Sequence, residues 1–372
     1  MSKKFKPLKS ILVKPAGPDC NLNCRYCFYK EKGKLYPETS THRMTLGTLE
    51  RLVASFFQTL QHAYSFSWQG GEPTLMGLDF FKHVTALQSS LGHPGMVVSN
   101  GLQTNGTLLD DDWAKHLAAY NFLVGISVDG PRHLHDRLRL AKGGKPTYSR
   151  VMDSVRALTR HHVEVNVLTL VSRANVAHPE EVYDALCDCG FLFHQYIECV
   201  EFDAQGKLQP FAITAEEWGR FLIRIFDRWI ARDVRRVSIR LFDTLLTYMV
   251  TGVNNTCTTG RSCDQYFVVE HTGDIYPCDF NVVPELRLGN VATSSWEAIQ
   301  ASSCYTDFAA AKGHWNAQCS ACPWLVYCHG DCPKNRPGRI AGATSHLCEG
   351  WKRFYAHAIP RLEELAQDIR RS

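Results

Sequence analysis

A chain of 372 residues is long enough for two compact domains, and 45% hydrophobic with 11% aromatic residues is ample for packed cores. A net charge of +4 gives no electrostatic case for nucleic acid, and no basic run marks an anionic membrane patch. Lys3, Lys4, Lys6 and Lys9 make the N-terminus basic, but Ile11-Leu12-Val13 is too short for a signal peptide and no apolar stretch approaches a membrane span. A cytoplasmic protein without membrane contact is expected.

The first predicted strand, Ile11–Lys14, leads into Cys20-x₃-Cys24-x₂-Cys27. Three thiolates can hold three irons of a cubane [4Fe–4S] cluster and leave the fourth iron open to a ligand, whereas a closed structural zinc site wants four donors. A loop at a strand's C-terminal end is also where β/α barrels build their active sites. Leu46, Leu49, Val53, Phe56, Phe57 and Leu60 then recur at helical spacing. A second strand, 64–68, ends in Gly70-Gly71-Glu72-Pro73. Two glycines let backbone approach a ligand and the proline fixes the exit, although the tetrapeptide reads equally well as an ordinary turn.

Strands at 97–103, 122–128, 163–171 and 193–199 alternate with helix-compatible stretches at 110–120, 147–161 and 179–187. Six βα units imply parallel pairing with right-handed crossovers and are too few to close an eight-stranded barrel. The expected fold is therefore α/β, a partial (β/α)₆ TIM barrel over residues 1–236 followed by a loop-rich, cysteine-rich domain over 237–372. Helical stretches at 215–230 and 241–250 precede that second part, where 266–277 reads as a hairpin turning at His271-Thr272-Gly273-Asp274. Such a region buries too little apolar surface to hold itself together, so metal clusters would supply the constraint.

Fifteen cysteines in a cytoplasmic protein point to metal and away from disulfides. Eight follow the barrel: Cys257, Cys263, Cys278, Cys319, Cys322, Cys328, Cys332 and Cys348. They fill two Cys₄ sites, and spacing alone allows Cys319, Cys322, Cys328 and Cys332 to form one local site, zinc knuckles included. Cys187, Cys189, Cys199 and Cys304 read as buried or incidental thiols. The strand ends carry Gln103, Asn105, Ser127 and Asp129, with Arg139 just beyond. A guanidinium suits a carboxylate ligand, yet Asn-Gly and Asp-Gly are equally common turn residues. No histidine pattern marks a metalloenzyme, and none is assigned a role.

The triplet followed one βα unit later by Gly70-Gly71-Glu72-Pro73 resembles the radical S-adenosylmethionine (SAM) superfamily. Cys319-x₂-Cys322-x₅-Cys328-x₃-Cys332-x₁₅-Cys348 resembles its SPASM extension. The runs at 66–75, 102–108 and Tyr276-Pro277-Cys278-Asp279-Phe280 are similar to anaerobic sulfatase-maturating enzymes. That resemblance implies three [4Fe–4S] clusters and SAM: Cys20, Cys24 and Cys27 hold the SAM-binding cluster, Cys257, Cys263, Cys278 and Cys332 one auxiliary cluster, and Cys319, Cys322, Cys328 and Cys348 the other. It implies that Gly70, Gly71 and Glu72 meet the SAM amino group and that Ser127 and Arg139 meet its carboxylate. Gln103, Asn105 and Asp129 line the pocket. Tyr29, paired with Phe28, reads either as simple packing or as a residue that orients Asp279 or substrate. Asp279 is the implied base in oxidation of a sulfatase cysteine or serine to Cα-formylglycine, begun by hydrogen abstraction from Cβ. The implied partners are an unfolded or nascent sulfatase carrying Cys/Ser-x-Pro-x-Arg and a low-potential electron donor such as flavodoxin or ferredoxin, acting on a monomer. The cysteine framework is shared with enzymes that crosslink or epimerise ribosomally made peptides, which is the alternative reading.

Overall fold

The computed structural model describes residues 7, 8 and 10–371; Lys3, Lys4, Lys6 and Lys9 of the basic N-terminus lie outside the described residues. Ten strands form one sheet: β1 (Ile11–Lys14), β2 (Ala63–Trp68), β3 (Val97–Thr104), β4 (Leu123–Ser127), β5 (Val165–Val171), β6 (Phe193–Glu198), β7 (Ser238–Ile239), β8 (Phe267–Glu270), β9 (Asp274–Tyr276) and β10 (Gly289–Asn290). Their spatial order is β10-β9-β8-β1-β2-β3-β4-β5-β6-β7. From β1 to β7 each strand pairs parallel with the next. The crossovers are α1 (Leu46–Phe57), α2 (Leu78–Leu91), α3 (Asp111–Ala119), α4 (Arg132–Leu138), α5 (Tyr148–Arg160), α6 (Pro179–Asp188) and α7 (Ala215–Arg232), and α8 (Arg240–Thr251) follows β7. This is the open partial barrel, with each expected strand present and its ends shifted by no more than two residues.

Local sequence explains these elements. All four residues of β1 are buried, as a central parallel strand covered on both faces requires. The Thr45 side chain caps α1, which buries Leu49, Leu52, Val53, Phe56 and Phe57 on one face. A capping box between Thr214 and Glu217 starts α7, which buries Trp218, Phe221, Leu222, Ile225, Phe226 and Trp229. The sequence reading leaves out α2, although Phe80, Phe81, Val84 and Gln88 carry the helical spacing, and it leaves out the short α4.

The C-terminal region departs from expectation in two ways. Its hairpin, β8–β9, joins the barrel sheet, with β8 lying parallel to β1 from Ile11↔Phe267 to Lys14↔Glu270. Its apolar residues also belong to the barrel's own core, which includes Phe267, Val269, Ile275, Trp296, Tyr305, Leu347 and Phe354. The expected lack of burial is therefore corrected: the region is short of a separate core because it shares one. The unforeseen helix Cys348–Arg371 buries Trp351, Phe354, Tyr355, Ala358, Ile359 and Leu362 and packs on α7 and α8. Gly219 and Gly350 let the backbones meet, since a Cβ on Gly219 would lie 2.8 Å from the Gly350 carbonyl oxygen. No helix among the described residues is long and apolar enough to cross a membrane.

Candidate active site

The loop after β1 carries Cys20, Cys24 and Cys27, and the turn after β2 clamps it. The Gly71 amide donates to the Gly17 carbonyl at 2.8 Å and the Glu72 amide to the Asp19 carbonyl at 2.7 Å. A Cβ on Gly71 would fall inside the Asp19 carbonyl oxygen, so the second glycine is demanded by this crossing. Gly70, at φ +133°, lies against Lys14 and Gly17. Glu72 is fully buried. Its carboxylate accepts from the Thr74 amide, the Thr74 and Thr104 hydroxyls and the Asn105 amide at 2.6–3.0 Å, tying the turn to the end of β3. Asn105 in turn donates to Asn21 Oδ1 at 2.8 Å and reaches Cys20 Sγ at 3.7 Å. Burial pushes the Cys20 thiol up to about 12, with Glu72 adding to it, and the Cys24 thiol up to about 11 against Arg139. Such thiols keep their protons until a metal displaces them.

A second cluster of polar groups closes the pocket over β4 and β5. Asp129 is buried and accepts from Tyr26 Oη, from Arg139 Nε and Nη2 at 3.3 Å each, and from the Leu170 amide at 3.1 Å. Gln103 donates to Ser127 Oγ at 3.2 Å. The guanidinium and hydroxyl that the resemblance assigns to the SAM carboxylate are thus held by Asp129 and Gln103. His135, to which the sequence reading gives no role, is fully buried. Its Nδ1 accepts from the Asp129 amide at 3.3 Å and its Nε2 donates to Thr147 Oγ1 at 3.0 Å, the Thr147 hydroxyl proton going to the Arg139 carbonyl. Burial holds its pKa down to about 4.

The third group lies where β1 meets β8. Lys14 ends the central strand with its side chain only 1% exposed, in an ion pair with Asp279. Its ammonium stands 3.4 Å from the Tyr29 ring centroid. The Tyr29 hydroxyl donates to Glu270, which is in register with Lys14 and fully buried. Tyr29 and Asp279 thus share Lys14 as a common neighbour. Burial, then Glu270, pushes the Tyr29 phenol well above its ordinary value, so it remains a donor. The other Glu270 oxygen has no hydrogen-bond partner among the described residues, with His271 Nδ1 3.9 Å away.

All fifteen cysteines are free thiols. Cys319, Cys322, Cys328 and Cys348 line one cavity together with Asp331, Trp351 and Tyr355. Cys332 does not line that cavity. Burial, then Asp331, Cys278 and Cys257, pushes its thiol well above the usual value. Cys263 rises through burial to about 12, Lys312 and Arg336 opposing while Cys278 and Cys257 add. Cys328 and Cys348 rise through burial to about 12 and about 11, and Cys319 and Cys322 add to both. Cys257 and Cys278 thus bear on Cys263 and Cys332, and Cys319 and Cys322 on Cys328 and Cys348. Free thiols edged by apolar rings suit iron–sulfur clusters. Of the remaining four, Cys199 is buried and Cys187, Cys189 and Cys304 are part-exposed.

Residues 15–186 match the Radical SAM superfamily and residues 257–323 match the SPASM iron–sulfur cluster-binding domain. The chain is 34% identical to the serine-type anaerobic sulfatase-maturating enzyme of Bacteroides thetaiotaomicron, with 98% of this chain and 92% of that one covered. It is also 34% identical to the cysteine-type enzyme of Clostridium perfringens, covering 98% and 100%. This chain belongs to the anaerobic sulfatase-maturating enzymes. The structure of native anSMEcpe with bound AdoMet and Cp18Cys peptide agrees with it at a TM-score of 0.90 and 33% identity over 97% of this chain and 99% of the other. For a sulfatase-maturating enzyme the active-site motifs are readable along the sequence, but Lys14, Glu270 and His135 are not. Lys14 sits in an apolar strand and Glu270 in a hairpin, and only the β1–β8 pairing joins them. A charged residue ending a run of buried strand residues is the signal that could have singled them out.

Proposed function

We propose that this radical SAM enzyme oxidises Cβ of a cysteine or serine in an unfolded or nascent sulfatase to give Cα-formylglycine. The observation that carries the reading is likeness over nearly the whole chain to both serine-type and cysteine-type relatives. Cys20, Cys24 and Cys27 would hold the cluster that binds SAM, Cys257, Cys263, Cys278 and Cys332 one auxiliary cluster, and Cys319, Cys322, Cys328 and Cys348 the other. When bound, SAM and its cluster supply a 5′-deoxyadenosyl radical that takes one hydrogen atom from the substrate Cβ.

This chain's residues position and deprotonate. The backbone of Gly70 and Gly71 with Ser127 and Arg139 forms the cofactor's polar wall, with Gln103, Asn105 and Asp129 behind it. Asp279 accepts the proton of the substrate thiol or hydroxyl, and Lys14 and Tyr29 fix where its carboxylate stands. Loss of the Cβ hydrogen, one electron and that proton leaves a thioaldehyde or an aldehyde. Water then replaces sulfur in the thioaldehyde, releasing hydrogen sulfide. The electron leaves toward the auxiliary cysteine sets, and a low-potential donor such as flavodoxin or ferredoxin serves the monomeric enzyme.

Incubation of the reconstituted enzyme with SAM and peptides carrying Cys-x-Pro-x-Arg or Ser-x-Pro-x-Arg tests the reading by mass spectrometry. The serine peptide should lose two hydrogens, and the cysteine peptide should in addition exchange sulfur for oxygen. A thioether crosslink or an epimer of unchanged mass would replace this reading with the ribosomal-peptide alternative.

A further inference from the structure

Lys312 and Arg336 are cations buried without an anion: Lys312 is 0% exposed and Arg336 2%. Among the described residues neither makes an ion pair. Lys312 Nζ donates to the carbonyl oxygens of Cys257 at 2.5 Å and Thr258 at 2.8 Å. Arg336 Nη2 donates to the carbonyls of Lys312 at 3.0 Å and Gly330 at 3.3 Å, and its Nε has no partner among the described residues. Two further carboxylates are engaged elsewhere, the half-buried Glu198 with Asn335 and the buried Asp331 with Asn335 and Ser345. Burying one unpaired cation is strongly unfavourable, and two linked through one carbonyl are worse. A counter-anion belongs here.

The hydrogen bonds show where it would lie. Lys312 is bonded to the carbonyl of a cysteine in one set, Cys257, and Arg336 to Gly330, which lines the cavity of Cys319, Cys322, Cys328 and Cys348. The linked pair spans the two sets. An iron–sulfur cube held by four thiolates is a net anion, and its potential follows the charge around it.

We propose that Lys312 and Arg336 are fixed counter-charges of the two auxiliary clusters and raise their reduction potentials, favouring uptake of the electron released during substrate oxidation. This rests on the reading that the eight C-terminal cysteines hold iron–sulfur clusters. In that step the Cβ radical loses one electron and its sulfur or oxygen one proton as the C=S or C=O bond forms. The electron adds one negative charge to an auxiliary site, and adjacent positive charge stabilises that more negative form. Lys312 and Arg336 do not meet substrate in this scheme. They act as positioning residues for charge.

The test uses full-length, anaerobically reconstituted holoenzyme, with iron and sulfide assays and potentiometric titration followed by electron paramagnetic resonance. Arg336→Gln and Lys312→Gln keep a donor for the carbonyls but remove the charge. Each should retain its iron while the auxiliary midpoints fall. At a fixed ambient potential the reduced-to-oxidised ratio should drop about tenfold, which is ~59 mV for a one-electron couple. The midpoint of the Cys20, Cys24 and Cys27 cluster serves as internal reference and should stay put. Arg336→Lys and Lys312→Arg should restore most of the shift. Unchanged auxiliary midpoints in both glutamine variants, or equal shifts in the charge-conserving variants, overturn the proposal. Auxiliary iron lost from the glutamine variants but kept in the charge-conserving ones supports it. Equal loss from both kinds means a packing role and overturns it. Wild-type enzyme that binds iron for a single cluster would overturn the underlying reading of the cysteines instead.

Discussion

Asp279 holds an unusual position for a carboxylate, buried beside a lysine that is itself buried more deeply. Lys14 keeps the anion in place without using its second oxygen, since the pair is made through Oδ1. Asp279→Asn preserves shape and removes the base. Its expected outcome is intact iron and continued deoxyadenosine formation, with formylglycine formation slower by about 10²–10⁴-fold. Quantifying both products in one reaction checks it. Aldehyde at the normal rate would mean another base, and lost iron would mean that Asp279 holds the cluster loop.

His135 makes a pH prediction at the same scale. Both ring nitrogens are engaged in the neutral form, and burial holds the pKa down to about 4 against an ordinary 6.5. Above pH 6.5 neither folded nor unfolded chain protonates the ring, so the full stability is present. As pH falls from 6.5 toward 4 the unfolded chain takes a proton that the folded chain refuses, and roughly 3 kcal/mol is lost. Denaturation of wild type and His135→Gln across that range should show a shallower acid slope in the variant.

At the level of elements, the Gly-Gly turn after β2 and the cysteine loop after β1 act as one unit. Two backbone hydrogen bonds and one close crossing at Gly71 join them. Gly71→Ala inserts a methyl where the Asp19 carbonyl stands, next to Cys20. The loop must move, so the variant should lose roughly one-third of its iron, one cube of three, while the auxiliary sites stay filled. Iron assay with cluster spectroscopy measures this, and full iron with normal SAM cleavage would count against the clamp. The motif was legible in sequence, but its second glycine is explained by a neighbouring backbone, which no linear pattern reveals.

Across the whole molecule, one core serves barrel and extension. The helix Cys348–Arg371 starts at a cysteine of the cavity set and lays Phe354 against both Phe242 and Phe226, at ring separations of 5.8 and 6.3 Å. Phe354→Ala should cost about 3–5 kcal/mol and lower the thermal midpoint of the barrel and the extension together. A barrel that melts unchanged, seen by calorimetry, would contradict a shared core. Auxiliary iron should also fall in this variant, because helix docking places Cys348.

The sequence by itself determined the first six parallel strands, most of their crossover helices, the cysteine framework and the chemistry that framework can hold, because these depend on local spacing: period two, period 3.6, and thiols a few residues apart. It also led to Asp279 through a run of five residues. Only the tertiary structure decided the surroundings. Lys14 meets Asp279 across 265 residues and Tyr29 meets Glu270 across 241. Asp331, Cys278 and Cys257 act on Cys332, which stays out of the cavity lined by Cys319, Cys322, Cys328 and Cys348. Arg336 stands buried between two sets of thiols. Buried charges take partners by proximity in space, since water no longer screens them, and a linear pattern carries no record of which distant strand or loop will arrive.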